Sequence, residues 1–159
     1  MNISVKFIKV FTFIKPLFGY SCFLVQILKI LTMEKMTNSI NWFEIPVLNF
    51  DNAKEFYSRI YDYKMTESTS HSFRMGFLPM DPDSRGVGGA IVQGIGYTPT
   101  SLGVKIYLNG GRDLLTVLNR VIAAGGEIIV PKTKISDEIG YFAVFADTEG
   151  NHISLHSSD

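Results

Sequence analysis

Asp51-Asn52-Ala53-Lys54-Glu55-Phe56-Tyr57-Ser58-Arg59-Ile60 places Ala53, Phe56, Tyr57 and Ile60 at i, i+3, i+4 and i+7. That spacing is one apolar face of a helix. Asp51 stands where an N-cap would. The pattern returns at a constant offset of 61: Leu114, Val117, Leu118 and Val121 follow Asp113. An internal repeat of this length constrains the fold more than any single element does.

Working outward, each helix is flanked in the same order. Before the first, Asn41-Trp42-Phe43-Glu44-Ile45-Pro46-Val47 alternates as a strand does. After it, short strands are predicted at Lys64–Glu67, Phe73–Leu78 and Gly88–Gln93, with Asp81-Pro82-Asp83 as a turn. In the second half a strand is predicted over Leu102–Leu108. Ala124-Gly125-Gly126 closes the helix, and strands follow at Glu127–Val130, Tyr141–Ala146 and His152–His156. The expected fold is α+β: two βαβββ units, about 38–93 and 102–157, in a domain spanning 38–157. Gly94 to Ser101 is the linker. A βαβββ unit covers one sheet face with its helix. Two open faces side by side make a curved mixed sheet with a central cup, helices outside, suited to a small ligand.

Charge is unevenly distributed. Residues 1–35 hold five lysines and one acid, whereas from Met36 onward there are ten basic and fourteen acidic residues, a net of −4. An acidic domain without a basic stripe argues against a nucleic-acid partner. The single cysteine, Cys22, precedes the domain. The domain therefore has neither an internal disulfide nor a thiolate metal site, which fits a reducing, cytoplasmic setting.

Residues 1–35 read as a leader of different character, rich in Phe, Ile, Leu and Lys. The longest uncharged run, Pro16–Leu28, has thirteen residues, short of the roughly 18 a spanning helix needs. A start codon placed too early (Met33 or Met36 being the real one), a weak export signal or anchor, and a surface helix all remain open. The second of these would make the protein exported or membrane-anchored. No membrane partner is expected for the domain itself.

Several stretches carry a family resemblance. These are Glu44-Ile45-Pro46-Val47 with Asn52–Tyr57, Gly88-Gly89-Ala90, Ala123-Ala124-Gly125-Gly126, and above all Gly140-Tyr141-Phe142-Ala143-Val144-Phe145-Ala146-Asp147-Thr148-Glu149-Gly150-Asn151-His152-Ile153. In this order they resemble the vicinal-oxygen-chelate superfamily of glyoxalases, bleomycin-resistance proteins and extradiol dioxygenases. Metal-dependent members place one His, Gln or Glu on each of four trough-facing strand positions. The resemblance carries these positions to Trp42, Val92 (or Ala90), Gly103 and Ser154. Indole, glycine and alkyl groups offer an ion no lone pair, and a hydroxyl alone is a poor ligand. No metal and no other cofactor is therefore expected. The resemblance also implies a homodimer.

Strand alternation assigns the ligand-binding lining to Trp42, Glu44, Lys105, Tyr107, His152, Ser154 and His156, with Trp42 reading equally as a stacking platform for a ligand or as a plug of the emptied metal site. Glu44 and Lys105 are equivalent in the repeat, and an ion pair between them is expected. Tyr107 and the Phe73, Met75, Phe77 stripe read more readily as core. His71 sits on a Ser/Thr-rich loop without a special role. Gly86-x-Gly88-Gly89 lacks the Lys-Ser/Thr of a phosphate loop. The expected function is metal-independent binding of a small organic or aromatic molecule. The alternative is a lyase or dioxygenase-type enzyme of the same superfamily, using Glu44 and His156 as acid and base or an unrecognised metal site.

Overall fold

Both halves of the repeat fold as βαβββ units in the computed structural model, which describes residues 37–84 and 86–159. The readings of the leader lie outside the described residues. The first unit runs β1 (Trp42–Pro46), α1 (Phe50–Tyr61), β2 (Glu67–Thr69), β3 (Phe73–Phe77) and β4 (Gly88–Gly94). The second runs β5 (Tyr107–Asn109), α2 (Leu115–Val121), a single 3-10 turn (Ile122–Ala124), β6 (Glu127–Ser136), β7 (Gly140–Ala146) and β8 (His152–Ser157). No described helix is long and apolar enough to cross a membrane.

The strands form two four-stranded sheets of matching order, β1-β4-β3-β2 and β5-β8-β7-β6. In each, the strand before the helix pairs in parallel with the last strand, and the other pairs are antiparallel. The parallel pair is what the helical crossover permits.

The apolar period does its expected work. Ala53, Phe56, Tyr57 and Ile60 are buried, and so are Leu114, Val117, Leu118 and Val121. They join Ile45, Val47, Ile91, Phe145, Ile153 and Leu155 in one core spanning both units. Full burial of each such large side chain contributes about 1.5–3 kcal/mol. A polar link crosses the same core: the Tyr57 hydroxyl donates to Asp147 Oδ2 at 2.8 Å, and both residues are buried. Burial, then the Asp147 charge and hydrogen bond, hold the Tyr57 phenol well above its usual range.

Some boundaries differ from expectation. The N-cap of α1 is Asn49, not Asp51; its side chain accepts from the Asn52 N–H at 3.2 Å. Asp113 receives the Leu115 N–H at 3.0 Å, but α2 has no side-chain cap at its N-cap, Leu114. The strand expected over Leu102–Leu108 begins only at Tyr107. Gly103 has φ +116, which breaks the extended path, and β8, its partner among the described strands, starts at His152.

Candidate functional site on the open sheet faces

The register of β1, β4 and β3 decides which side chains share the open face of the first sheet. Glu44 aligns with Ala90 and Ala90 with Phe77; Pro46 aligns with Val92 and Val92 with Met75; Trp42 aligns with Gly88. Phe43, Ile45 and Val47 point the other way, against the helices. Trp42, Glu44 and Pro46 therefore face the trough, as alternation requires.

The Phe73, Met75, Phe77 stripe belongs to this open face and not to the core, which corrects the expectation. Its neighbours on β3 explain why. Gly76 is the core-facing residue: a Cβ there would lie 2.3 Å from Met65 Sδ and 3.2 Å from the Phe50 ring. Arg74 lies over the Phe50 ring at 4.1 Å and reaches Asp51 at 2.9 Å and Glu67 at 3.2 Å. A small residue and a long basic one thus take the helix side, leaving the apolar three outward.

Of the candidate residues, Trp42 and Glu44 are the two that the structure joins. The indole lies against Gly88, where a Cβ would meet its Cζ3 at 3.0 Å. Phe77 stands edge-on to it, with centroids 6.2 Å apart and planes at 61°. The ring remains 42% exposed. Its Nε1 donates to Glu44 Oε1 at 3.2 Å. The other Glu44 oxygen accepts the hydroxyl of Tyr97. That hydrogen bond, with partial desolvation and the Glu44 charge, holds the Tyr97 phenol above its usual range, so it remains a donor at neutral pH. Beside Trp42 lies an open depression of about 660 Å³, bounded by Tyr63, Phe77, Met80, Asp81 and Gly88.

Tyr97 is a residue that the sequence reading passed over. It sits in the linker, 53 residues from Glu44. The turn that delivers it was legible: Gly96 adopts φ +88, and the Tyr97 N–H returns to Gly94 O at 3.2 Å.

The remaining candidates lie elsewhere. Lys105 does not pair with Glu44; it is exposed, with its Nζ 3.5 Å from Ser101 O. The expected ion pair fails because Lys105 precedes β5 and so lacks the strand position that Glu44 occupies. Lys105 and Tyr107 instead line a cleft of about 540 Å³ between the units, with Phe43, Tyr61 and Met80. Tyr107 is exposed, not core. On the second sheet, Ser154 aligns with Tyr107 and Val144, and His152 with Ala146. Ser154 is buried, while the two histidines are half-buried. His156 Nε2 meets Ile139 O at 2.8 Å. Among the described residues no hydrogen bond joins Glu44 to His156, so the structure does not assemble them as an acid–base couple.

Donor chemistry at the four carried-over positions does not fit a metal. Trp42, Ala90 or Val92, and Gly103 have no suitable lone pair, and Ser154 is a lone hydroxyl. His152 and His156 share a face but, four residues apart on one strand, are separated by about 13 Å, too far for one ion. Among the described residues no three His, Cys, Asp or Glu side chains gather as a ligand set.

Two βαβββ units with matching strand orders, one core and open faces define the class: the chain has the vicinal-oxygen-chelate fold. Solved structures bear this out. A mutant of glyoxalase I from Zea mays superposes with a TM-score of 0.59 at 14% identity, over 79% of this chain and 48% of that one. The chain thus spans about half of the maize enzyme. TnmS3, an antibiotic binding protein from Streptomyces sp. CB03234, gives 0.57 at 21% identity, over 79% of this chain and 100% of that one. A mutant of the fosfomycin resistance protein FosX from Listeria monocytogenes, complexed with Mn(II), gives 0.51 at 16%, over 78% and 93%. No family model matches the sequence, and no curated protein does.

Proposed function

We propose that this protein is a metal-independent small-molecule binder whose ligand is a planar organic molecule resting on Trp42. One observation carries the reading: an indole, braced by Gly88 and Phe77 and tied to Glu44, stands half-exposed on the trough face, at the position to which the family resemblance carries a metal ligand. A half-exposed, fixed aromatic ring offers a wide apolar face at little entropic cost. TnmS3, matched along its whole length and described as an antibiotic binding protein, supports binding as a use of this fold. Trp42 is the only tryptophan, so its emission reports on the site. Titration with planar aromatic fragments is expected to shift or quench that emission saturably, and to do so equally in excess EDTA. Failure of every such fragment at millimolar concentration, or loss of the response in chelator, would sink the reading.

The proposal includes a homodimer. Among the described strands, β1 and β5 each have a single neighbour, leaving an open edge, and open edges invite covering. Near them Ile95 and Val104 are 98% and 92% exposed, with Leu102 also bare. Sedimentation equilibrium at micromolar concentration should give twice the chain mass; a monomer throughout that range would refute it.

A further inference from the structure

We infer that the Trp42 site selects a cationic planar ligand, its ring stacked on the indole and its positive charge held by Glu44; this rests on the binding reading above and names the ligand's chemistry. The trough face of the first sheet carries Trp42, Glu44, Pro46, Ala90, Val92, Phe73, Met75 and Phe77 by register, with Ala90 and Val92 buried and Trp42 and Phe73 exposed. Glu44 is the one ionisable side chain among them. Elsewhere in the fold Asp51, Glu55, Asp62, Glu67, Asp113, Asp137 and Asp159 each meet a Lys or Arg, while Asp147, which is buried, and Glu149 are taken up by hydrogen bonds within the protein. Glu44 forms no ion pair among the described residues. Its two fixed partners, the indole N–H and the Tyr97 hydroxyl, are neutral donors.

Neutral donors orient a carboxylate without cancelling its charge. A carboxylate accepts along about four lone-pair directions, and two are taken here, so the oxygens retain capacity for a ligand. The surrounding rings present negative π-faces that attract a cation and give an anion nothing. The neighbouring depression is lined by both Lys64 and Asp81, opposite charges that leave the preference to Glu44.

Calorimetric titration of the full chain with N-methylquinolinium and with neutral quinoline, at pH 8, tests this. The two probes share one ring system and differ in charge. The cation is expected to bind about ten-fold more tightly, from the charge-assisted contact and the cation–π term together. Glu44→Gln should bring the two affinities to within about three-fold, by weakening the cation and sparing quinoline. Equal affinities in the unaltered protein would overturn the inference while leaving the planar-ligand reading standing. A cation preference unchanged in Glu44→Gln would overturn it too. If neither probe binds, the planar-ligand reading falls and takes this inference with it.

Discussion

In the first half of the molecule Ile45 and Val47 point into the core while Trp42 and Glu44 face away. In the second half, at the same offset of 61, Ile106 and Leu108 take the core side, but Gly103 and Lys105 stand where Trp42 and Glu44 do. Neither of those two lies in a strand. The helices diverge in the same manner. α1 has twelve residues and a side-chain N-cap, and α2 has seven and none. The buried faces of the repeat are held in common because both must fill one close-packed interior. The trough faces share no such pattern, although Ala90, Val92 and Ser154 are buried there, and the first half alone carries the Trp42–Glu44 pair. The likeness of the halves is therefore a matter of packing, and their difference is where binding chemistry can reside.

The sharpest way to break the comparison is at the polar member of the repeated helix face. Tyr57 is equivalent to Leu118, yet its hydroxyl crosses into the second half to meet Asp147 at 2.8 Å. Asp147 also accepts from the side chain and N–H of Asn151, and from the N–H of Glu149, each at 2.9 Å. Asn151 in turn donates to Pro46 O at 2.8 Å, so one buried cluster ties β1, α1 and the β7–β8 turn together. Asp147→Ala strands several buried donors at once and should cost about 3–5 kcal/mol. Urea unfolding reads this directly. A loss below about 1 kcal/mol would mean that the two halves are held by apolar packing alone.

Legibility followed the same division. The two helices, the unit order and the closing turn could be read because burial writes a period into the chain. Asp147-x-x-Gly150-Asn151 could be read as a turn, but not as the inter-unit clasp, since its partner Tyr57 lies 90 residues away. At β3, alternation gave two classes of residue without saying which was inside. Phe73, Met75 and Phe77 look like core, and only Gly76 packed beneath Met65 and Arg74 laid over Phe50 reverse that. Lys105 was misplaced because a repeat offset fixes phase but not strand length. Trp42 and Glu44 were legible because β1 alternates cleanly. Tyr97 was not, because linker residues have no period to betray their direction.

A second break concerns how closely the halves approach. Gly126, two residues after the 3-10 turn that follows α2, packs against both units. A Cβ there would lie 2.7 Å from Ala146 O, 2.8 Å from Phe56 Cε2 and 2.9 Å from Val121 Cγ1. Two of the three neighbours are backbone or an aromatic ring fixed in the core, and neither can step aside cheaply. Gly126→Ala is expected to destabilise by about 1–3 kcal/mol through overpacking. A neutral or stabilising result would show that the contact between Phe56 and the second unit is looser than these distances imply.

The smallest effect sharpens the difference between the helices. Asn49 Oδ1 accepts the Asn52 N–H at 3.2 Å, satisfying one donor at the start of α1. The backbone around it is held separately, because Glu149 of the second half accepts the N–H groups of Leu48 and Asn49, both at 2.8 Å. Asn49→Ala removes the side-chain cap and leaves the Glu149 clamp in place. The freed N–H lies at an exposed site where water can take it, so the cost is that of a lost cap and not of a buried orphan. About 1 kcal/mol is expected. Glu149→Gln, by contrast, keeps an oxygen acceptor but loses the charge that strengthens both bonds, and should cost no more than Asn49→Ala. If Asn49→Ala proves neutral while Glu149→Gln is costly, the entry into α1 is set by the second half of the chain. The apparent self-sufficiency of the capped helix would then be borrowed from its partner unit.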